Sequence, residues 1–176
     1  WSMVPIYWGL VVSFSTTEAL YRQPTSFFPQ PFTLHFYREL LNGSTDVSRT
    51  FLFSIRNSVI QASAATAVTV AIALPAAYGF TRLAFRGAKL LLSVLVLTLA
   101  MPIYLVIIPL FQTASGMGLI NTHVIIVAIY TAAAMPLAVW ILRSHIASLP
   151  PDIESAARLD GASTAQVLLK IVWPLV

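Results

Sequence analysis

The sequence predicts an all-α, polytopic membrane helical bundle, and three observations carry that prediction. Of its 176 residues, 58% are hydrophobic and 9% charged, against about 25% charged residues in soluble domains. So little charge cannot cover a globule of this size with solvated side chains, which excludes an ordinary soluble enzyme and a disordered chain. Residues 57–81 and 90–142 contain no Asp, Glu, Lys or Arg, and apolar runs of that length read as membrane spans. The remaining charges fall in the connections and in one segment after Arg143. The absence of cysteine excludes a disulfide framework, a cysteine zinc site and a thiol nucleophile. The net charge of +4 comes from few, dispersed basic residues, a pattern for membrane orientation rather than nucleic acid.

The elements follow in order. Residues 1–17 lack charge until Glu18 and read as the outer part of a first span. Residues 18–56 form a polar outer loop with Pro24, Pro29 and Pro31 as punctuation, and a short helix is expected around His35–Leu41. The second span is 57–81, whose Ala62, Ser63, Ala64, Ala65, Ala67, Ala71 and Ala73 suit close helix packing. Pro75 is expected to bend it. Arg82 to Lys89 is a short basic connection. The uncharged stretch 90–142 is too long for one helix. A turn at 112–123, marked by Gly116, Gly118, Asn121 and Thr122, divides it into spans 90–111 and 124–142, with kinks expected at Pro102, Pro109 and Pro136. Arg143 and His145 close the last span. The chain opens on Trp1 in one apolar run and stops at Val176 in another, so it reads as a fragment of a longer membrane protein.

Orientation follows from the short loops. The 82–89 connection holds Arg82, Arg86 and Lys89 and no acid, whereas 112–123 holds only a neutral His. The positive-inside bias puts the former in the cytoplasm and the latter outside. By alternation 18–56 is outside and the segment 143–174 is cytoplasmic.

That segment reads as two short helices around a corner. Pro151 suits a first helical turn, where Asp152 and Glu154 complement the macrodipole. Ile153, Ala156 and Ala157 are spaced to share a face. Gly161 ends the helix as a residue able to turn with positive φ. Ser163 and Gln166 have capping-box spacing, and Val167, Leu168 and Ile171 give the second helix an apolar stripe. Acidic Asp152, Glu154 and Asp160 offset Arg158 and Lys170, so the elbow lacks the basic face that would hold it on anionic lipid.

Glu154-Ser-Ala-Ala-Arg-Leu-Asp-Gly161, followed by Ile171-Val-Trp-Pro174, resembles the EAA loop of ABC importer permeases, in which E-A-A is followed by G and then I-x-L-P. Ala156, Ala157, Gly161, Ile171 and Pro174 match. Ser155 stands where the motif has Glu, with Glu154 one position earlier, and Trp173 stands where Leu is usual. Arg56-Asn57-Ser58, Ala76-Ala77-Tyr78-Gly79-Phe80, Phe85-Arg86-Gly87, Met101-Pro102, Ile108-Pro109-Leu110-Phe111, Gly118-Leu119-Ile120-Asn121-Thr122 and Leu149-Pro150 extend the likeness to the carbohydrate-type branch over nearly the whole chain.

The resemblance implies a type I ABC importer permease fold, with 1–176 a single transmembrane permease domain in fragment. It implies a bacterial or archaeal plasma (inner) membrane location, and translocation of a sugar or related solute. The expected partners are a dimer of cytoplasmic ATP-binding subunits, a second permease subunit, an extracytoplasmic solute-binding protein and membrane lipid, with no nucleic acid. Glu154, Ser155, Ala156, Ala157, Asp160, Gly161 and Ala162 would make the contact that couples the permease to the ATPase. No cofactor is expected on this chain; ATP and Mg would bind the ATPase, consistent with the lack of a G-x-x-x-x-G-K-[ST] phosphate loop here. The chain itself is not expected to be an enzyme, and no catalytic or metal residue is assigned: His35, His123 and His145 lie on different segments. Tyr78, Tyr104, Gln112 and Tyr130 are the side chains in the spans that could meet a sugar, although helix packing and interface anchoring account for each of them better. An ATP-independent secondary transporter or channel is the alternative. Such proteins carry ionisable residues within their spans, and the two uncharged stretches lack them. A membrane scaffold or assembly factor is the third reading; it would not need kinked, Pro-bearing, Ala-rich spans, and neither alternative predicts the binding of an ATPase, as the elbow does.

Overall fold

The computed structural model describes residues 1–21, 27–83, 85–102 and 104–176, with the side chains of 104–106 also left aside. Among the described residues the secondary structure is entirely helical. Two compact units divide the chain, Trp1–Val59 and Ile60–Val176, and each is described by itself.

In the first unit, α1 (Val4–Ser13) is only ten residues long, shorter than the span expected over 1–17. The Ser13 hydroxyl bonds back to the Leu10 carbonyl at 2.9 Å and that of Ser15 to the Val11 carbonyl at 2.6 Å. The Phe14 carbonyl accepts the Thr33 N–H at 2.8 Å, which draws it out of the helical ladder. Thr16 then caps the short α2 (Thr17–Leu20). The Phe14 ring stacks on Phe32 and meets Tyr37 of α3 (His35–Asn42), the helix expected here.

The long helix α4 (Asp46–Arg82) begins well before the span expected at 57. Thr45 and Ser48 exchange bonds, each hydroxyl accepting the other's backbone N–H at 3.2 Å. This is a capping box with Ser in place of the usual Glu or Gln, so the polar residues 46–56 are helix rather than loop. At the other end α4 runs through Pro75 to Arg82, and Gly87, at φ +88°, starts α5 (Ala88–Leu97).

The span expected over 90–111 is not one helix. After α5 and a 3₁₀ turn (Thr98–Ala100), Met101 is extended at ψ 126°, as the residue before a proline prefers. Helix α6 (Tyr104–Gly116) follows and contains Pro109. Pro102 therefore interrupts the span where a kink was expected. The next turn narrows to 117–122, with Gly118 at φ +66° and Asn121 at φ +61°, and Thr122 caps α7 (His123–Ser148). Within α7 the helix continues past Arg143 and His145 for a further turn, through Pro136 and up to Ser148.

Helices α4 and α7 are long and apolar enough to cross a membrane. They pair in opposite directions. The Gln61 amide and the His123 ring meet at 3.1 Å, and Arg82 reaches the carbonyls of Ile146 and Leu149. At about 1.5 Å per residue, Gln61 to Arg82 spans about 31 Å, close to the roughly 30 Å of a bilayer's hydrocarbon core. Helix α5 packs beside α7.

The deepest core lies at the Arg82 end, where Ala73, Leu74, Ala77 and Tyr78 of α4 meet Val139 and Ile146 of α7 and Val167 and Val172 of the C-terminal segment. Of the small residues named for packing, Ala65 and Ala73 are buried, whereas Ala62, Ser63, Ala67 and Ala71 are exposed.

Candidate functional site

The elbow forms as expected. Helix α8 (Pro151–Leu159) carries Pro151 and Asp152 in its first turn. Its end is closed by the Ala162 N–H bonding the Ala157 carbonyl at 3.0 Å and the Gly161 N–H bonding that of Arg158 at 3.1 Å, with Gly161 at φ +85°. Ser163 and Gln166 complete a reciprocal capping box at the start of α9 (Thr164–Val167). The helix continues as a π-helical stretch (Leu168–Val172) into α10 (Trp173–Leu175). Pro174 has no N–H for the Lys170 carbonyl, and the wider turn accommodates that loss. Burial of Val167 and Val172 in the core anchors this second limb.

A side-chain network anchors the first limb. Glu154 is only 6% exposed. Its carboxylate accepts the Arg82 Nε–H at 2.7 Å and the Tyr78 hydroxyl at 2.8 Å, so both oxygens are paired. Arg158 donates to the Tyr78 oxygen at 3.0 Å. The other arm of Arg82 donates to the carbonyls of Ile146, at 3.1 Å, and Leu149, at 2.8 Å. The Ile146 carbonyl already takes the Leu149 N–H at 3.2 Å, and a guanidinium is a suitable further donor to the last carbonyls of a helix. Arg82 thus ties the ends of α4, α7 and α8 together.

The sequence places these groups simply. Tyr78 and Arg82 are four apart on α4, and Glu154 and Arg158 are four apart on α8, so each pair shares one helix face. Two facing pairs make a four-residue junction. Burying a charge is costly unless it is paired and hydrogen-bonded, and here both carboxylate oxygens of Glu154 are paired while Arg82 donates through Nε and one terminal nitrogen.

The residues expected to couple to an ATPase are divided by this geometry. Glu154 was expected on the coupling face but is turned inward. Ala157 and Ala162 are half-buried against the core. Ser155, Ala156, Asp160 and Gly161 are exposed, and the Ser155 hydroxyl bonds back to the Pro151 carbonyl at 3.1 Å. Sequence reasoning missed Leu159, 90% exposed at the corner. It also missed Arg82 and Arg158, and set Tyr78 among possible sugar contacts, whereas its hydroxyl belongs to the elbow junction. Gln112 and Tyr130 are exposed; the Tyr104 side chain lies outside the described residues. His123 serves Gln61, and His35 lies 3.6 Å from Glu39 on α3.

The stretch of chain that holds this elbow falls within a family match. The family described as the binding-protein-dependent transport system inner membrane component matches residues 69–176, which include α5 to α10 and the latter part of α4. The chain belongs to this family.

The family is one of inner-membrane components of transport systems, and its fold is a membrane helical bundle. Similar proteins include the trehalose/maltose transport system permease protein of Thermococcus litoralis, 35% identical over 98% of this chain and 60% of the relative. The sulfoquinovosyl glycerol transport system permease protein of Agrobacterium fabrum is 32% identical over 98% of this chain and 59% of the relative. The alpha-glucoside transport system permease protein of Rhizobium meliloti is 36% identical over 86% of this chain and 40% of the relative. The chain therefore spans 60% or less of the length of these relatives.

Proposed function

We propose that this chain is part of a membrane-spanning permease subunit of an ATP-driven importer, and that its elbow receives the push of a cytoplasmic ATPase subunit. The observation that carries this reading is the elbow itself. It presents an exposed corner at Arg158, Leu159, Asp160 and Gly161 while both of its limbs are anchored to the ends of the spanning helices. A loop that merely lay on lipid would need neither the buried ion pair nor the capped corner.

ATP and Mg would be held by the ATPase, because the sequence has no phosphate loop. A second permease subunit would complete the path, and an extracytoplasmic binding protein would deliver the solute. The likeness to permeases named for trehalose/maltose, sulfoquinovosyl glycerol and alpha-glucoside supports a sugar or sugar derivative as cargo. The organisms of these relatives support a bacterial or archaeal plasma membrane, with the elbow on the cytoplasmic side.

The test is purification of the full-length protein from its own membranes, with mass spectrometry of what accompanies it. An ATP-binding subunit recovered at two copies per two permease chains is the expected result. Recovery of the chain alone, stable and active in solute transport without ATP, would refute the reading in favour of a secondary transporter.

A further inference from the structure

We infer that Arg82 and Tyr78 are positioning residues for coupling: they lock the elbow to the ends of α4 and α7, so that a push on the elbow moves both spanning helices as one body. This inference rests on the proposed docking of the elbow to an ATPase.

A force on an exposed corner does useful work on a distant span only if the intervening joints are stiff. A single flexible linker at Leu149–Pro150 would let α8 swing while α7 stayed still. The junction removes that freedom. Arg82 spans the joint, holding Glu154 on α8 and, with its other arm, the Ile146 and Leu149 carbonyls at the end of α7. Tyr78 links Glu154 to Arg158, which fixes the rotation of α8 about its own axis. The Arg82 side chain is 17% exposed and that of Glu154 8%, so water competes little for these bonds and the joint keeps its geometry under load. The second limb is held independently by apolar packing of Val167 and Val172. By contrast the chain at Met101–Pro102 leaves the helical ladder and has no comparable clamp among the described residues. The elbow with the adjoining ends of α4 and α7 is therefore the rigid lever, and bending falls elsewhere.

The experiment uses the full-length permease assembled with its ATPase and reconstituted in liposomes with the binding protein. Solute uptake is measured per ATP hydrolysed for the unaltered protein, Arg82→Ala, Arg82→Lys and Tyr78→Phe. Arg82→Ala should keep the ATPase subunit bound but lower uptake per ATP by about tenfold, within the range usual for coupling between sites. Arg82→Lys, which keeps the charge but loses the fork of donors, should recover part of the loss. Tyr78→Phe should fall between Arg82→Lys and the unaltered protein. Unchanged uptake per ATP in Arg82→Ala overturns the inference. So does loss of ATPase binding in a correctly inserted Arg82→Ala protein, since that would make the network a docking contact. If the unaltered protein itself binds no ATPase, the proposed function fails instead.

A second measurement does not depend on the variants folding. These 176 residues hold no cysteine, so, with any cysteine elsewhere in the full-length protein replaced, Leu83→Cys and Asp152→Cys, both at exposed positions, can carry a pair of spin labels across the junction. One narrow distance distribution, the same without nucleotide and with ATP trapped, is expected. A distribution that shifts between the two states would show that the joint flexes, and would overturn the lever.

Discussion

Arg82 Nε lies 2.7 Å from a carboxylate oxygen of Glu154, across 72 positions of sequence. With Tyr78 and Arg158 the pair forms the polar centre of a junction packed against alanine, leucine, valine and isoleucine. Removing one partner leaves the other buried without a counter-charge, which costs far more than the pair contributes relative to an apolar substitute. Glu154→Ala should therefore lower the stability of the purified complex by about 3–5 kcal/mol, whereas the same change at exposed Asp152 should lower it by less than about 0.5 kcal/mol. Thermal unfolding in detergent, with both variants at equal purity, measures this. Equal midpoints would show that the ion pair is not formed.

The corner at Gly161 tests conformation apart from space. A Cβ there would meet nothing within 4 Å, yet φ is +85°. Any loss on substitution is then a backbone effect, about 1–2 kcal/mol for a residue that resists the left-handed region. Gly161→Val should reduce solute uptake strongly while membrane insertion stays normal. Gly161→Asn, which tolerates positive φ better, should reduce it less. Normal uptake in Gly161→Val at normal expression would remove the corner from the mechanism.

Ser163 tests whether the second limb must be pre-formed. Its side chain and that of Gln166 satisfy each other's backbone N–H groups. Ser163→Ala should destabilise the limb by about 1 kcal/mol. Hydrogen exchange at the amides of 164–167 should rise by about a factor of five, the equivalent of that energy if the limb opens locally. Exchange unchanged at these amides would show that core packing of Val167 alone holds the limb.

Leu159 is the apolar residue most clearly left over at the corner, 90% exposed with charged Arg158 and Asp160 on either side. On the proposed reading it packs into the ATPase. Leu159→Ser should leave the unfolding midpoint within about 0.5 kcal/mol of the unaltered protein and reduce the ATPase subunit recovered in co-purification. Full recovery would place the docking contact elsewhere on the elbow.

The sequence by itself determined the membrane setting, because a chain with 9% charge has no way to solvate a globular surface. It also determined the elbow, because capping and corner chemistry are local: Pro151, Gly161, Ser163 and Gln166 act on backbone within a few residues of themselves, and each does so in the structure. Helix starts governed by less usual pairs were harder to read. Thr45 and Ser48 cap α4 eleven residues ahead of the expected span, and the Phe14 carbonyl leaves α1 for a partner at Thr33.

Only the tertiary structure decided which way Glu154 faces. Its place in the first turn of α8 gives it equal access to a docking partner and to the helix behind it, and nothing local separates the two. The choice depends on Arg82 and Tyr78 arriving from another helix, at a distance where the cost of burying the carboxylate is met by a paired charge and a hydroxyl. Spacing of four on α4 and four on α8 makes that meeting possible, but the antiparallel pairing of α4 with α7 brings it about, by placing the end of α7, and with it the start of α8, beside Arg82.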